Sequence, residues 1–317
     1  MNLPPSLLRQ CWFLAGPTAC GKSATSLVLA ERLNAEIISL DSMAIYRRMD
    51  IGTAKPSRSD RLRVAHHLID IAEPHEEYSV AEFVRHAAVA AEAIVGRGRV
   101  PLFVGGTGLY LRSILRGLSE GPEADWDFRR SVEQLAIQNG PEWLHDKLKA
   151  CDPVTADRLH LNDMRRIIRA LEVFELTGRP ISEDQQHTPV PIADRPRAVV
   201  WLEPPREWLR ARIDLRVDQM MADGWLEETR DLMALQPSPS RTACQALGYR
   251  ELIDHVNGRL SLAAAVEQIK ISTRQFAKRQ HTWFRNLEEC SPVAITGLES
   301  PEMIAGQIQA FVSGGVL

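Results

Sequence analysis

The stretch Gly16-Pro17-Thr18-Ala19-Cys20-Gly21-Lys22-Ser23 decides the fold of this chain. Its spacing is Gly-x-x-x-x-Gly-Lys-Ser, and it directly follows the apolar run Trp12-Phe13-Leu14-Ala15. A buried strand, a glycine turn and a helix in this order point free backbone N–H groups at an anion. The lysine can reach a terminal phosphate, and the serine hydroxyl can bind Mg²⁺. We therefore predict a phosphate-binding loop, with a plain glycine turn and a surface lysine as the alternative.

The composition is that of an ordinary globular protein. The 317 residues are 44% hydrophobic and 25% charged, with a formal net charge of −3. A chain of this length forms one large domain or two smaller ones. It has no apolar run as long as a membrane span, no signal-sequence pattern and no cysteine spacing typical of a metal site. We expect a cytoplasmic protein that does not bind membranes.

Strands and helices alternate along the first third of the chain. A helix follows the phosphate-binding loop, and Ser79 with Glu82 in capping-box position begins another. Alternating strands and helices predict a parallel sheet, whose ligands lie at the carboxyl ends of the strands. Gly16, Asp41 and Gly105 all fall at such ends. The predicted strands are 12–15, 36–40, 66–71, 100–104 and 198–202.

The pattern changes after Gly121-Pro122. From about 125 to 187 the periodicity is helical, and a proline-rich segment follows before the strand pattern returns at 198–202. We predict an α/β fold: a parallel-sheet core like that of P-loop NTPases, with a helical insertion domain and a mainly helical C-terminal part. The expected bounds are 1–124 and 196–317 for the core and 125–195 for the insertion.

Two polar side chains are predicted to lie at the same edge of the sheet as the phosphate-binding loop. Asp41 closes a strand, where a carboxylate acts as a general base, a Mg²⁺ ligand or a helix N-cap. Thr107 lies in a second glycine-rich turn, Gly105–Tyr110, and its hydroxyl could hold a substrate group or a phosphate oxygen. Glycines also simply make turns, so this second motif is weak on its own.

Cations cluster in two helical segments. Arg166 and Arg169 are three residues apart and could hold phosphates together, or Arg166 could simply pair with Asp163. The segment 270–285 carries five Lys or Arg residues and no acidic residue. Cations interleaved with aromatic side chains suit RNA, although aromatic residues such as Trp283 and Phe284 are more often core residues.

The order and spacing of these motifs resemble those of the bacterial tRNA dimethylallyltransferases. The similarity extends over nearly the whole chain, and the run Asp41–Pro56 is far more specific than the phosphate-binding loop. Ala44 stands where that family usually has Gln. The matching segments are Gly16–Ser23, Glu36–Arg47, Met49–Pro56, His66–Asp70, Tyr78-Ser79, Gly105–Tyr110, Asn162–Val173, Gly248–Arg250 and Lys278–Arg285.

The resemblance implies an activity and a cofactor. Such enzymes transfer a dimethylallyl group from dimethylallyl diphosphate to N6 of adenosine 37 in the anticodon loop of tRNAs that read codons starting with U. The loop Gly16–Ser23 would then hold the diphosphate, with Mg²⁺ on Ser23. Asp41 would accept the N6 proton, and Thr107 would position the reacting groups. We expect a monomer whose partners are the tRNA anticodon stem-loop and dimethylallyl diphosphate.

The resemblance also implies the residues that contact tRNA. They come from the sheet edge, from the insertion and from the C-terminal helices. They are Asp41, Ser42, Met43, Ala44, Thr107, Arg129, Arg165, Arg166, Ile167, Ile168, Arg169, Gln245, Ala246, Leu247, Gly248, Tyr249, Arg250, Lys278, Arg279, Gln280, His281, Thr282, Trp283, Phe284 and Arg285.

The residues by themselves leave three alternatives open. A small-molecule kinase that uses ATP would explain the loop and Asp41, but not the cationic helices. Transfer of the same prenyl group to a free adenine nucleotide would use the same donor site. A non-catalytic RNA-binding protein with a relic phosphate loop would bind tRNA without forming a product.

Overall fold

The computed structural model describes residues 3–118, 121–184 and 188–314. Across these ranges the strands form one parallel sheet in the order β3-β2-β4-β1-β5-β6. This architecture confirms the predicted α/β fold with a parallel-sheet core. The strands are β1 Trp12–Ala15, β2 Ala35–Leu40, β3 His66–His67, β4 Val100–Gly105, β5 Ala198–Glu203 and β6 Ser291–Ala294.

Helices connect the strands and make up the C-terminal part. The helix that follows Ser79 begins with the predicted capping box. The Glu82 N–H donates to Ser79 Oγ at 3.1 Å, and the Ser79 N–H donates to Glu82 Oε2 at 2.7 Å. The helices are α1 Pro5–Leu8, α2 Lys22–Leu33, α3 Arg58–Arg63, α4 Val80–Gly96, α5 Gly108–Arg116, α6 Trp126–Asn139, α7 Pro141–Cys151, α8 Pro153–Arg158, α9 Met164–Thr177, α10 Ile181–Asp184, α11 Arg206–Ala222, α12 Trp225–Met233, α13 Arg241–Cys244, α14 Tyr249–Val256, α15 Leu262–Arg285 and α16 Pro301–Ser313, with a 3₁₀ turn at Ile192–Asp194.

The register of the central strands brings three turns to one level. Gly105 at the end of β4 is paired with Ala15 of β1 on one side and with Leu40 of β2 on the other. The chain therefore leaves β1, β2 and β4 at the same edge of the sheet. This edge carries the phosphate-binding loop, Asp41 and the second glycine turn.

The sheet is buried on both faces. Phe13 and Leu14 are neighbours in β1 and point into different hydrophobic clusters, as alternation in a strand requires. On one face the Phe13 ring stacks on the Phe103 ring with centroids 4.6 Å apart. Helices α4 and α5 supply apolar residues on that face, whereas α2 and α16 supply them on the other. A sheet buried on both faces holds its edge turns in fixed positions.

The third predicted strand is wrong in length. The prediction of 66–71 treated the whole run as extended, but β3 ends at His67. Leu68 and Asp70 have φ values of 60° and 57°, which no strand accommodates. The Asp70 carboxylate turns back to accept hydrogen bonds from Lys55 Nζ and Arg61 Nη1, both at 2.6 Å. The strand therefore ends at His67, where the backbone becomes left-handed at Leu68.

The described residues between 117 and 188 form a compact helical unit with a hydrophobic core of its own. Leu144, Leu148 and Ile167 are fully buried in that core. The unit begins earlier than the expected boundary at 125, because the Pro122 carbonyl accepts a hydrogen bond from Arg169 Nη2 at 2.9 Å. These residues show that the segment before α6 packs with the helices.

The other boundary of the unit also differs from the expected residue 195. The segment 189–195 belongs to the sheet-containing unit. Val190 is buried there, and its N–H donates to Glu289 Oε1 at 3.0 Å, while Arg9 pairs with Asp194 at 2.9 Å. Prolines exclude a long helix from this segment, but its side chains still pack on the sheet unit. Among the described residues, no helix combines the length and the apolar character that a bilayer span requires.

Candidate active site

The phosphate-binding loop has the strand–turn–helix geometry that the sequence predicted. Helix α2 begins at Lys22, and Gly21 caps it with a φ of +92°. Glycine adopts this left-handed conformation without steric cost. The first turn of α2 therefore presents free N–H groups and the positive end of the helix dipole at the edge of the sheet.

Lys22 is held by its own loop. Its Nζ donates a hydrogen bond to the Pro17 carbonyl oxygen at 2.6 Å and lies 3.8 Å from Cys20 Sγ. Burial lowers the pKa of the Lys22 ammonium, and the charge of Arg216 lowers it further, whereas Cys20 and Asp41 oppose this. A partly desolvated cation held by a carbonyl oxygen and a thiol sulfur is well suited to receive an anion.

Arg216 is a site residue that the sequence analysis missed. It lies on α11, and burial lowers its pKa, while the Asp41 carboxylate acts in the opposite direction. Lys22, Arg216 and Asp41 thus lie close enough to interact electrostatically. The signal was available: α11 follows β5, the neighbour of β1, and carries Arg212 and Arg216 one helical turn apart.

Asp41 caps a turn rather than a helix. Its Oδ1 accepts hydrogen bonds from the N–H groups of Met43 at 2.8 Å and Ala44 at 3.2 Å. Residues 42–45 form bends and turns and Tyr46 forms a β-bridge with Ala72, so the helix N-cap interpretation is wrong. These hydrogen bonds fix the orientation of the carboxylate. Because both of them go to Oδ1, Oδ2 is available to accept from another partner.

Thr107 is tied to the segment that carries Asp41. Its Oγ1 accepts a hydrogen bond from the Ser42 N–H at 3.2 Å, and its own N–H donates to the Leu40 carbonyl at 3.1 Å. The second glycine turn and the end of β2 are therefore one hydrogen-bonded structure. The structure brings the two predicted catalytic side chains together.

Gln280 lies between the two glycine turns. Its Oε1 accepts a hydrogen bond from the Thr18 N–H at 2.9 Å, and its Nε2 donates to the Gly106 carbonyl at 2.9 Å. The side chain is buried, with 4% of the residue exposed. Its place inside the protein differs from the surface position that a tRNA contact would need.

The run Asp41–Pro56 is anchored by Glu228, a second residue that the sequence analysis missed. The Glu228 carboxylate accepts hydrogen bonds from the N–H groups of Asp50, Ile51 and Gly52, at 2.8, 2.8 and 3.1 Å. It also accepts one from the Tyr249 hydroxyl at 2.6 Å, and burial raises the pKa of that phenol. These bonds join the run to the segment that carries Tyr249.

The arginines of the helical unit divide into two groups. Arg165 and Arg166 are exposed, and Arg166 lies 3.2 Å from Asp163 in the intrahelical pair that the sequence left open. Arg129 and Arg169 instead pair with Glu172, which is 0% exposed. Burial alone would raise the Glu172 pKa, but hydrogen bonds from these two guanidiniums hold it below its usual value.

The remaining tRNA candidates of the helical unit lie inside it. Ile167 and Ile168 are buried in its core. Their side chains therefore stabilise the unit, and α9 offers RNA its exposed arginines instead.

The cationic stripe on α15 is partly neutralised. Lys270 pairs with Asp218 at 2.7 Å, Arg274 pairs with Asp214, and His281 lies 3.0 Å from Glu203. These carboxylates come from other elements, so the absence of acidic residues within 270–285 was misleading. The exposed cations at the end of the helix are Lys278, Arg279 and Arg285.

The aromatic pair on α15 divides between core and surface. Phe284 is buried against the sheet, as the core interpretation predicts. Trp283 is half-buried, and the Arg112 guanidinium lies over its ring at 5.0 Å from the centroid. Thr282 beside it is exposed. Of the two aromatic residues, Trp283 is therefore the one that a ligand could reach.

The other candidate tRNA segments are likewise mixed. Gln245 and Arg250 are exposed, and Leu247 is half-buried. Ala246, Gly248 and Tyr249 are buried, as is Ala44, whereas Ser42 and Met43 are half-buried.

Two family models match the chain. The model "IPP transferase" matches residues 44–287, and "Isopentenyl transferase" matches residues 9–70. Together they include the phosphate-binding loop, Asp41, the second glycine turn and the cationic end of α15.

Similar proteins cover nearly the same length. A tRNA dimethylallyltransferase of Symbiobacterium thermophilum is 48% identical over 90% of both chains. One of Geobacter metallireducens is 49% identical over 86% of this chain and 89% of its own.

Solved structures have the same fold. A tRNA isopentenylpyrophosphate transferase of Bacillus halodurans has a TM-score of 0.70 at 39% identity, covering 96% of both chains. A eukaryotic dimethylallyltransferase, described as acting on tRNA, has a TM-score of 0.76 at 30% identity, covering 96% of this chain and 79% of its own. Because both family models match the phosphate-binding loop or the segments that carry Asp41 and Thr107, and because the relatives are similar in sequence and structure over most of the chain, the chain belongs to the IPP transferase family.

Proposed function

We propose that this enzyme transfers the dimethylallyl group of dimethylallyl diphosphate to N6 of adenosine 37 in the anticodon loop of tRNAs that read codons starting with U. N6 forms a bond to C1 of the prenyl group, the C1–O bond breaks, and diphosphate leaves. The N6 proton passes to Asp41. The observation that carries the proposal is the meeting of the phosphate-binding loop, Asp41 and Thr107 at one edge of the sheet, where the Ser42 N–H donates to Thr107 Oγ1 at 3.2 Å.

The cations suit a departing diphosphate. Negative charge grows on the leaving oxygen as the C1–O bond breaks, and preorganised cations stabilise that charge. Lys22, Arg216 and the N-terminus of α2 supply positive potential at this edge. Asp41 supplies the opposite charge beside them, where a base is needed for the proton. Thr107, bound to the Ser42 N–H, holds the second glycine turn against the segment that carries Asp41.

Mg²⁺ fits the donor set if the diphosphate supplies most of its ligands. The described residues contain no cluster of three or more His, Cys, Asp or Glu side chains that could hold a metal. Mg²⁺ commonly takes one or two protein oxygens, several waters and substrate phosphates. The exposed Ser23 hydroxyl at the start of α2 would be such a ligand. The ion would neutralise charge on the diphosphate.

Transfer to tRNA is supported by the exposed cations and by the names of the relatives. Arg165 and Arg166 in the helical unit, and Lys278, Arg279 and Arg285 on α15, are exposed and suited to phosphate contacts. An adenine within the anticodon loop has to leave its stack to reach the half-buried carboxylate of Asp41. The alternatives of an ATP-dependent kinase and of a free nucleotide as acceptor leave these cations without a role.

The decisive experiment supplies the enzyme with unmodified tRNA, Mg²⁺ and labelled dimethylallyl diphosphate. We expect one labelled nucleotide, N6-(dimethylallyl)adenosine, which digestion maps to position 37. The same tRNA with guanosine at position 37 is the matched control and should stay unlabelled. Label on free AMP, or phosphoryl transfer from ATP in place of prenyl transfer, would refute the proposal. Tight tRNA binding without any product would identify a non-catalytic RNA-binding protein.

A further inference from the structure

Gln280 makes hydrogen bonds to the backbone of both glycine turns. The Thr18 N–H of the phosphate-binding loop donates to its Oε1, and its Nε2 donates to the Gly106 carbonyl, each at 2.9 Å. Gln280 lies on α15 beside the exposed Arg279. One side-chain amide thus links the loop, the second turn and the cationic helix.

The surroundings of Gln280 are built around this amide. A Cβ atom on Gly106 would lie 2.1 Å from Gln280 Nε2, so only glycine leaves room for the side chain. With 4% of the residue exposed, water is a poor substitute for either hydrogen bond. Both groups of the amide are engaged within the protein, which leaves little of it to read RNA.

We propose that Gln280 is a positioning residue that holds the phosphate-binding loop and the turn carrying Thr107 in their reactive arrangement. The inference rests on the proposed prenyl transfer. By fixing the Thr18 N–H, Gln280 sets the direction of the loop that receives the diphosphate. By fixing the Gly106 carbonyl, it sets the residue that precedes Thr107. The role implied for Gln280 by the family resemblance was a tRNA contact, and these two roles predict different defects.

The test compares Gln280→Met with Arg279→Ala. Methionine has nearly the same volume and makes neither hydrogen bond, whereas Arg279→Ala removes an exposed cation one residue away. We expect Gln280→Met to raise KM for dimethylallyl diphosphate and to lower kcat, together by about 10- to 100-fold, since small misplacements of reacting groups have effects of this size. Its Kd for tRNA should stay within about twofold, as no phosphate contact is lost. Arg279→Ala should instead raise the Kd for tRNA and leave the KM for dimethylallyl diphosphate nearly unchanged.

A binding measurement separates this inference from the proposed function. Calorimetry with inorganic pyrophosphate and Mg²⁺ needs no prenyl transfer, and Gln280→Met should bind pyrophosphate about tenfold more weakly than the wild type, the scale of a lost loop-orienting hydrogen bond. Wild-type protein that binds pyrophosphate but forms no prenylated tRNA would refute the function alone. If the wild type transferred the prenyl group normally and Gln280→Met bound pyrophosphate and transferred the prenyl group equally well, the inference alone would be refuted.

Two further outcomes would overturn the inference. A weaker tRNA affinity with an unchanged KM for dimethylallyl diphosphate would show a direct RNA contact. If tRNA binding and prenyl transfer were lost equally, in proportion to a fall in the fraction of folded protein, Gln280 would have a packing role. If Gln280→Met does not fold, Gln280→Glu replaces it, because it keeps the shape and the acceptor for Thr18 but loses the donor to Gly106. The same increase in KM and the same unchanged tRNA affinity are then expected.

Discussion

The two glycine turns at the carboxyl edge of the sheet use glycine for different reasons. Gly21 in the first turn has a φ of +92°, and a Cβ there would meet nothing within 4 Å. Gly108 in the second turn has no such conformation, but a Cβ there would lie 2.7 Å from Cγ of Trp283. At Gly21 the first turn therefore needs glycine for its backbone conformation and not for space. The second turn needs glycine because it packs closely on α15. We therefore expect the first turn to serve binding and the second to serve positioning, although their sequences are similar.

The strongest test of this division removes the charge of the carboxylate that lies beside both turns. Asp41→Asn keeps an oxygen to accept from the N–H groups of Met43 and Ala44 but cannot take a proton. We expect kcat to fall about 10³-fold, within the range for loss of a general base. Affinities for tRNA and for pyrophosphate should change little. Full turnover by the variant, measured in single-turnover assays, would remove Asp41 from the chemistry.

The first turn is tested by Lys22→Met. We expect kcat/KM for dimethylallyl diphosphate to fall about 10²-fold, because a cation that meets the leaving charge is lost. The free energy of unfolding should not decrease, because burial lowers the pKa of Lys22 and the charged form is disfavoured in the folded protein. Denaturant titration checks this, with the exposed Lys278→Met as control for loss of charge. A destabilised Lys22→Met would mean that the first turn, too, is held by packing.

A crossed pair of glycine substitutions compares the turns directly. Gly21→Ala forces a left-handed alanine, at a strain of about 1–2 kcal/mol, and should weaken pyrophosphate binding about tenfold. Gly108→Ala overlaps the Trp283 ring and should lower the free energy of unfolding by about 1–3 kcal/mol. Calorimetry and chemical denaturation on both variants give the answer. If both variants bound pyrophosphate equally weakly and neither was destabilised, the two turns would not differ in role.

The smallest expected effect is at Thr107. Thr107→Val keeps the shape but no longer accepts from the Ser42 N–H. Loss of one such bond, worth about 1 kcal/mol net, should lower kcat roughly fivefold. Thr107→Ser retains the hydroxyl and should recover activity. Were valine and serine equally active, Thr107 would only fill space in the second turn.

The residues that sequence could place are those whose signal is local. The phosphate-binding loop, the capping box at Ser79 and the ends of β1, β2 and β4 follow from short-range spacing and from the alternation of strands and helices. The parallel order brings those ends together, so the proximity of Asp41 and Thr107 was also predictable. Family membership followed from the same motifs and is confirmed.

The residues that sequence could not place make contacts between distant parts of the chain. Arg216, Glu228 and the true position of Gln280 depend on how α11, α12 and α15 approach the sheet edge. Charge counting within one segment failed for the same reason: Lys270 and Arg274 are neutralised by carboxylates of α11. The sequence pattern at 66–71 predicts a strand, but Leu68 and Asp70 have positive φ values, which a strand does not allow.

The strand order also has a consequence in time. Strand β1 pairs with β4 on one side, but its other neighbour, β5, is translated only after the stretch 106–197. At ~5–20 residues per second, a ribosome needs roughly 5–20 s for that stretch. During this interval one edge of β1 is open, and such edges are where chains pair wrongly. The helical unit, which has a hydrophobic core of its own, is translated within the same interval, so much of the chain made during that time can fold without β5.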